Sequence, residues 1–268
     1  MTTTQTASDA ATLSAASDNA YSYLLGLQKP GGDWEGEMVW CTMILAQAVI
    51  VRTIIGEPYN EAEQRQIIRH FEITQAANGA WGMHPESAGY LFFTTLAYVA
   101  LRLLGLPPDT PMLSQARTWL RGQPGGVQSI PTWGKFWLAI IGLYDYRGLN
   151  AIPPELFLLP KWLPFHPSRF YCHTRLIYLA IAFIGGSRFV ASLPANLRDE
   201  LRGELYDKPY AEIDFAVLRH SLAPCDVYVP ITPLLHRIYD VLAVFERWHS
   251  GRLRQKALKV CFERILYE

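Results

Sequence analysis

The sequence predicts an all-α fold of paired helices closed into an α-α barrel (toroid), and three observations support that prediction. Apolar residues recur at the three- and four-residue spacings of a helix face, while period-2 alternation of useful length is missing, which argues against a substantial sheet. The chain also repeats itself. "YLLGLQKPGGDW" ends at Trp34 and "HFEITQAANGAW" at Trp81; Gln28 is answered by Gln75 and Trp34 by Trp81, both 47 positions on. A decayed third copy, "TWLRGQPGGVQ", sets Gln123 48 positions after Gln75, keeps Gly125-Gly126 and has Val127 in the tryptophan's place. A period of this length belongs to paired-helix repeats, in which neither helix can bury its apolar face alone. Finally, each copy has one build: an apolar-periodic helix is stopped by a glycine turn, and a bulky tryptophan pins that turn to the next helix.

Taken from the N-terminus, "MTTTQTASDA" is small and polar, and residues 1–19 read as a flexible tail. Residues 20–268 read as one domain, because no linker rich in serine, glycine or charge divides them. Tyr21, Leu24 and Leu25 form the apolar face that leads into the first turn. Further helices are expected over 38–56, 61–76, 88–105, 112–122, 134–146, 171–185, 195–205, 210–221, 231–248 and 252–267. The acids Asp33, Glu35 and Glu37 trail the first turn and read as solvated. "AIPPELFLLPKWLPFHP", 151–167, has five prolines and cannot be a regular helix. It is either an irregular packed connector or an exposed apolar lip.

The 24 basic residues balance the 24 acidic ones, so no net field recruits nucleic acid. Half the residues are hydrophobic and 18% are charged, against roughly 25% in ordinary soluble domains, which points to a lined cavity, a large interface or a large core. Cys41, Cys172, Cys225 and Cys261 are far apart, with no CxxC pair, and read as reduced thiols in a cytoplasmic setting. The histidines show no metal-ligand spacing, so neither metal nor cofactor is expected. No apolar run reaches the length of a membrane span. The longest, "LIYLAIAFIGG", stops at the Gly185-Gly186 pair and reads as a core helix.

Glutamine and tryptophan bracketing a glycine turn resemble the QW motif of the squalene and oxidosqualene cyclases, the class II triterpene cyclases. The stretch 125–179, from "GGVQSIPTWGKFW" to "PSRFYCHTRLIYL", is similar almost without gaps to sterol-forming members of that family. "LRGELYDKPYAEIDF" and "ITPLLHRIYDVLAVFERW" continue the likeness, which covers about residues 20 to 267. It implies the γ domain of a two-barrel enzyme whose aspartate-rich acid motif lies in the other, β, domain. No such motif occurs here; "DWEGE", "RDE" and "EID" have neither its spacing nor its setting. The chain stops within the helix-like "VCFERILYE", where the resemblance would set the second domain.

The resemblance further implies polyene cyclisation of a squalene- or oxidosqualene-like isoprenoid, with a β-domain partner and peripheral, monotopic membrane association. A growing carbocation needs negative charge density without a nucleophile, which aromatic faces supply. By likeness, Tyr171 and His173 steer that cation, Trp133 is a cavity tryptophan, and Thr174 and Tyr178 stand at a narrow passage to the access channel. Helical spacing places Tyr171, Thr174 and Tyr178 on one face, with His173 to one side. The family usually has tryptophan where this chain has Tyr171, so the aromatic role is kept while the product outcome is open. Two other readings stay open: a non-catalytic γ-like domain that binds a partner cyclase domain or a prenyl lipid, and a prenyltransferase-type subunit, against which the missing zinc ligands argue.

Overall fold

A computed structural model of the protein describes residues 3–35, 41–164 and 166–267, with side chains from Thr12 onward. Glu37 and the start of the helix expected over 38–56 lie outside these residues. The described residues are all-α, as expected of an α-α barrel; their only β-type pairing is one isolated bridge between Gly82 and Gly89. The chain divides after Trp40 into two compact units, Met1–Trp40 and Cys41–Glu268, whereas the sequence suggested a boundary at residue 19.

The first unit is a helix, α1 (Thr3–Gly26), and the turn that follows it. The segment expected as a flexible tail is therefore helical from Thr3, in keeping with its alanine content, since alanine has the highest helix propensity. Every described side chain from Thr12 to Glu35 is exposed.

The second unit is built around α4 (Leu91–Leu103), whose residues Leu91 to Arg102 are all buried. A helix apolar on every side, LFFTTLAYVALRL, must be central. Packed on it are α2 (Met43–Ile55) and α5 (Pro111–Gly122), and α8 (Ala195–Leu205) packs on α5. The ends follow local chemistry. Helix α3 (Glu61–Thr74) opens with an Asn60–Glu63 capping box, and α5 has a proline in its first turn. Helix α2 stops at Gly56, which takes a left-handed φ of 73°. Arg102 on α4 sits among Glu204, at 3.0 Å, Glu200, at 2.7 Å, and the Leu106 carbonyl. Tyr98 donates to Glu204 at 2.8 Å, so a buried polar network joins α4 to α8.

A smaller cluster holds α7 (Cys172–Ser187) to α10 (Gly251–Tyr267) and to a 3₁₀ turn, Pro154–Leu158, through Phe157, Leu179, Ala182 and Cys261. Gly186 is required there, because a Cβ would lie 2.8 Å from the Pro154 ring. The proline-rich segment thus divides in character. Its first half is a buried connector, while Trp162 in its second half is 74% exposed.

Two expected helices differ. Helix α6 (Thr132–Ile140) ends early, because Gly142 at φ 75° lets Leu143 N–H close on the Leu138 carbonyl. The helix expected over 210–221 does not form; a 3₁₀ turn, Tyr210–Glu212, and irregular turns replace it. The cause lies elsewhere in the chain. Buried Lys135 on α6 donates from Nζ to the carbonyls of Leu218, Arg219 and Ser221 at 2.8, 3.2 and 2.9 Å, turning them away from a helical ladder. Burial, with the Arg219 charge adding to it, pulls the Lys135 ammonium down to about 7.

Candidate functional site

The tryptophan turns recur in hydrogen bonds as well as in sequence. Trp34 Nε1–H donates to the carbonyl of Leu24, ten residues back, at 2.7 Å, and Trp81 Nε1–H to that of Phe71, also ten back, at 2.9 Å. Gln28 and Gln75 each close the turn on a glycine four residues ahead, Gly32 and Gly79, at 2.8 and 2.9 Å. Both glycines take left-handed φ, 86° and 88°. Gln75 also reaches the Met112 carbonyl at the start of α5, so the second turn ties two helices together. In the third copy Gln123 bonds backward to the Trp119 carbonyl, and Val127 is buried in a 3₁₀ turn. Trp81 is 1% exposed and Trp34 52%, so only Trp81 acts as a core pin.

The structure gathers the expected site residues into two groups. The first stands at the start of α7, where the Tyr171 carbonyl accepts the first intrahelical bond, from Arg175 N–H at 2.9 Å. Tyr171 and His173 stack at 5.2 Å between ring centroids and 20° between planes, and Tyr171 is 72% exposed. His173 Nδ1 lies 3.2 Å from Cys172 Sγ. One turn on, Thr174 is half-buried, and Tyr178 meets Phe170 edge to face at 5.8 Å.

Trp133 belongs to the second group. It lines an apolar groove of about 450 Å³ between three helix stripes: Val51 and Ile54 on α2; Trp133, Phe136, Trp137 and Ile140 on α6; Leu176, Ile177, Ala180, Ile181 and Ile184 on α7. Tyr171, His173, Thr174 and Tyr178 do not line it. The α6 rings form a tight array. Trp133 stacks on Phe136 at 5.9 Å and 11°, and meets Trp137 at 5.8 Å and 87°. With its amide oxygen turned toward α6, Gln47 Oε1 accepts from Trp133 Nε1–H at 2.9 Å and from Trp137 Nε1–H at 3.1 Å. Trp137 was readable as the residue one turn beyond Trp133. Gln47 has no such signal, because its partners are on another helix. Chemically, the groove can hold a hydrocarbon against indole faces and has no proton donor of its own.

Neither Asp214 nor Asp226 stands at either group. Asp214 accepts from Ala216 N–H at 3.1 Å and shapes a turn. Asp226 is buried at the N-terminus of α4, where it accepts from Phe92 N–H at 2.9 Å. Burial pushes its carboxyl up to about 7, against the lowering effect of the Phe92 and Leu91 amides. Among the described residues no group of three or more His, Cys, Asp or Glu is placed to hold a metal ion, and no helix is long and apolar enough to cross a membrane.

The family described as the squalene-hopene cyclase N-terminal domain matches residues 18–268. The chain is 40% identical over 250 residues to cycloartenol synthase of Dictyostelium discoideum, which covers 93% of the chain and 35% of that protein. It is 38% identical over 247 residues to lanosterol synthase of Mus musculus, covering 92% and 33%. Alpha-onocerin synthase LCD of Lycopodium clavatum is 36% identical over 263 residues, covering 93% and 34%. The chain spans about a third of the length of these relatives.

Proposed function

Because the chain belongs to the squalene-hopene cyclase N-terminal domain family, we propose that it is the γ-type part of a class II triterpene cyclase, supplying one aromatic wall of the cavity in which a squalene- or oxidosqualene-like polyene cyclises. The observation that carries this reading is the Tyr171–His173 stack. The two rings are stacked and exposed at the positions the family likeness assigns to the cavity. Facing a developing carbocation, stacked π faces would stabilise positive charge without offering a nucleophile. The initiating proton comes from the β domain on this reading, because no aspartate-rich acid motif occurs in this chain. Trp133, Thr174 and Tyr178 contribute the remaining aromatic and polar contacts to substrate. A squalene-like substrate dissolves in a bilayer, so the domain works at a membrane surface. Exposed Trp162 supports that part, and co-sedimentation with lipid vesicles tests it.

The direct experiment joins this chain to the remaining two-thirds of a relative such as the Dictyostelium cycloartenol synthase and supplies oxidosqualene. Tyr171→Ala and His173→Ala should leave substrate consumption within about thirtyfold of the parent while mono-, bi- or tricyclic products appear, because one aromatic face contributes only about 0.5 to 2 kcal/mol to a nearby cation. A folded His173→Ala chimera that consumes nothing would move His173 into protonation. An unchanged product profile would return both residues to a structural role. The wholly apolar groove favours one other reading, a prenyl-lipid carrier without catalysis. Saturable squalene binding by the free chain, with no cyclic product from a folded chimera, would select it.

A further inference from the structure

We infer that Gln47 is a positioning residue for the indole wall of the groove, holding Trp133 and Trp137 so that their ring faces are presented to a bound hydrocarbon. The inference rests on the cyclase reading for its catalytic consequence, and on geometry alone for its physical one. Two indole N–H groups converge on one amide oxygen, at 2.9 and 3.1 Å, from a helix that contributes its own apolar stripe to the same groove. An amide oxygen has two lone pairs, and the indoles take both. The rings they orient are nearly perpendicular, at 87°. Two such rings packed by apolar contact alone could each flip or tilt. With both N–H groups tied to one acceptor, the angle between the rings is set by the donor directions. The groove lining is otherwise hydrocarbon and aromatic, so an indole N–H released from Gln47 would have no acceptor within it and would turn toward solvent, carrying its ring face with it.

The residue therefore controls which part of each indole meets the ligand. A ring face is electron-rich and a ring edge is not, so tilting either ring would weaken cation stabilisation without changing the size or polarity of the groove.

The test compares Gln47→Leu, which removes the acceptor, with Gln47→Glu, which keeps one. In the free chain, indole N–H resonances are assigned with Trp133→Phe and Trp137→Phe. Gln47→Leu should move both signals upfield and speed their exchange with water, while Gln47→Glu keeps them downfield. Thermal unfolding is followed alongside, so that a variant that fails to fold is recognised and replaced by Gln47→Met. In the chimera, Gln47→Leu should change the ratio of complete to early-terminated products by about threefold or more, the scale of a partly lost aromatic–cation contact, and Gln47→Glu should restore it. Unmoved indole signals in folded Gln47→Leu would overturn the inference, whatever the chimera does. Moved signals with an unchanged product ratio would overturn its catalytic half. A parent chimera that forms no cyclic product counts against the cyclase reading, and the indole signals still decide the positioning role.

Discussion

At the residue scale, the same motif does different work in its two copies. Trp81 and Trp34 make the same hydrogen bond to a carbonyl ten residues back, but the first indole is buried and the second half-exposed. Trp81→Ala should therefore destabilise the fold by about 3–5 kcal/mol, the cost of emptying a buried indole site. Trp34→Ala should cost about 1 kcal/mol or less, one exposed hydrogen bond. Denaturant unfolding of both variants checks this, and equal losses would contradict it. Asp226 gives a second prediction. Its folded pKa of about 7 lies above the unfolded value of about 3.9, so between those limits the folded state keeps a proton that the unfolded chain has released. Stability should fall as pH rises from about 4 to about 7. Asp226→Asn, which keeps an acceptor for Phe92 N–H, should gain on the parent across that window by on the order of 1–4 kcal/mol. Unfolding free energies measured at several pH values, with no change in the difference, would refute it. At this scale, the nearness of Tyr171 to His173 was legible in the sequence, because the two stand two positions apart. Gln47 and the Asp226 cap were not, because each acts on a segment distant in sequence.

At the element scale, most helices were legible from apolar spacing, capping residues and glycine stops. The segment 210–221 is the instructive failure. It has helical apolar spacing, yet three of its carbonyls serve the Lys135 ammonium from α6. Spacing reports what a segment could bury; it does not report a competing donor more than eighty residues away. Lys135→Met should therefore destabilise the protein by about 1–3 kcal/mol, since it leaves buried carbonyls without a donor. Amide hydrogen exchange should rise first around 215–223. A variant with unchanged stability and exchange would show that the loop holds itself.

At the scale of the whole molecule, the two groups of candidate residues set what this polypeptide can do alone. The Tyr171–His173 stack and the Trp133 groove offer π faces and apolar walls. The strongly raised carboxyl, Asp226, is committed to the start of α4. Protonating an alkene or epoxide needs a strong acid aimed at substrate, so the chain by itself should give no polycyclic product from squalene or 2,3-oxidosqualene. Incubation of the purified chain followed by mass spectrometry decides the point. Polycyclic products would require an acid that neither Asp214 nor Asp226 supplies in this arrangement. Far-ultraviolet circular dichroism should show a helical protein with negligible sheet, and a sizeable sheet signal would refute the fold.

By itself the sequence determined the helical class, the 47-residue recurrence and the closing of each early turn by glutamine, glycine and tryptophan. The helices and the turns rest on groups no more than ten residues apart, where spacing dictates which groups meet. Only the tertiary structure decided that Trp81 is buried and Trp34 half-exposed, that Lys135 displaces a helix, that Trp133 and Tyr171 stand in separate groups, and that Gln47 joins α2 to the indoles of α6. Each of these turns on which surface of one element meets another, and a linear pattern constrains that only through the whole packed core. Lys135 and Ser221 lie 86 positions apart in the chain and 2.9 Å apart in space, a distance that no local periodicity encodes.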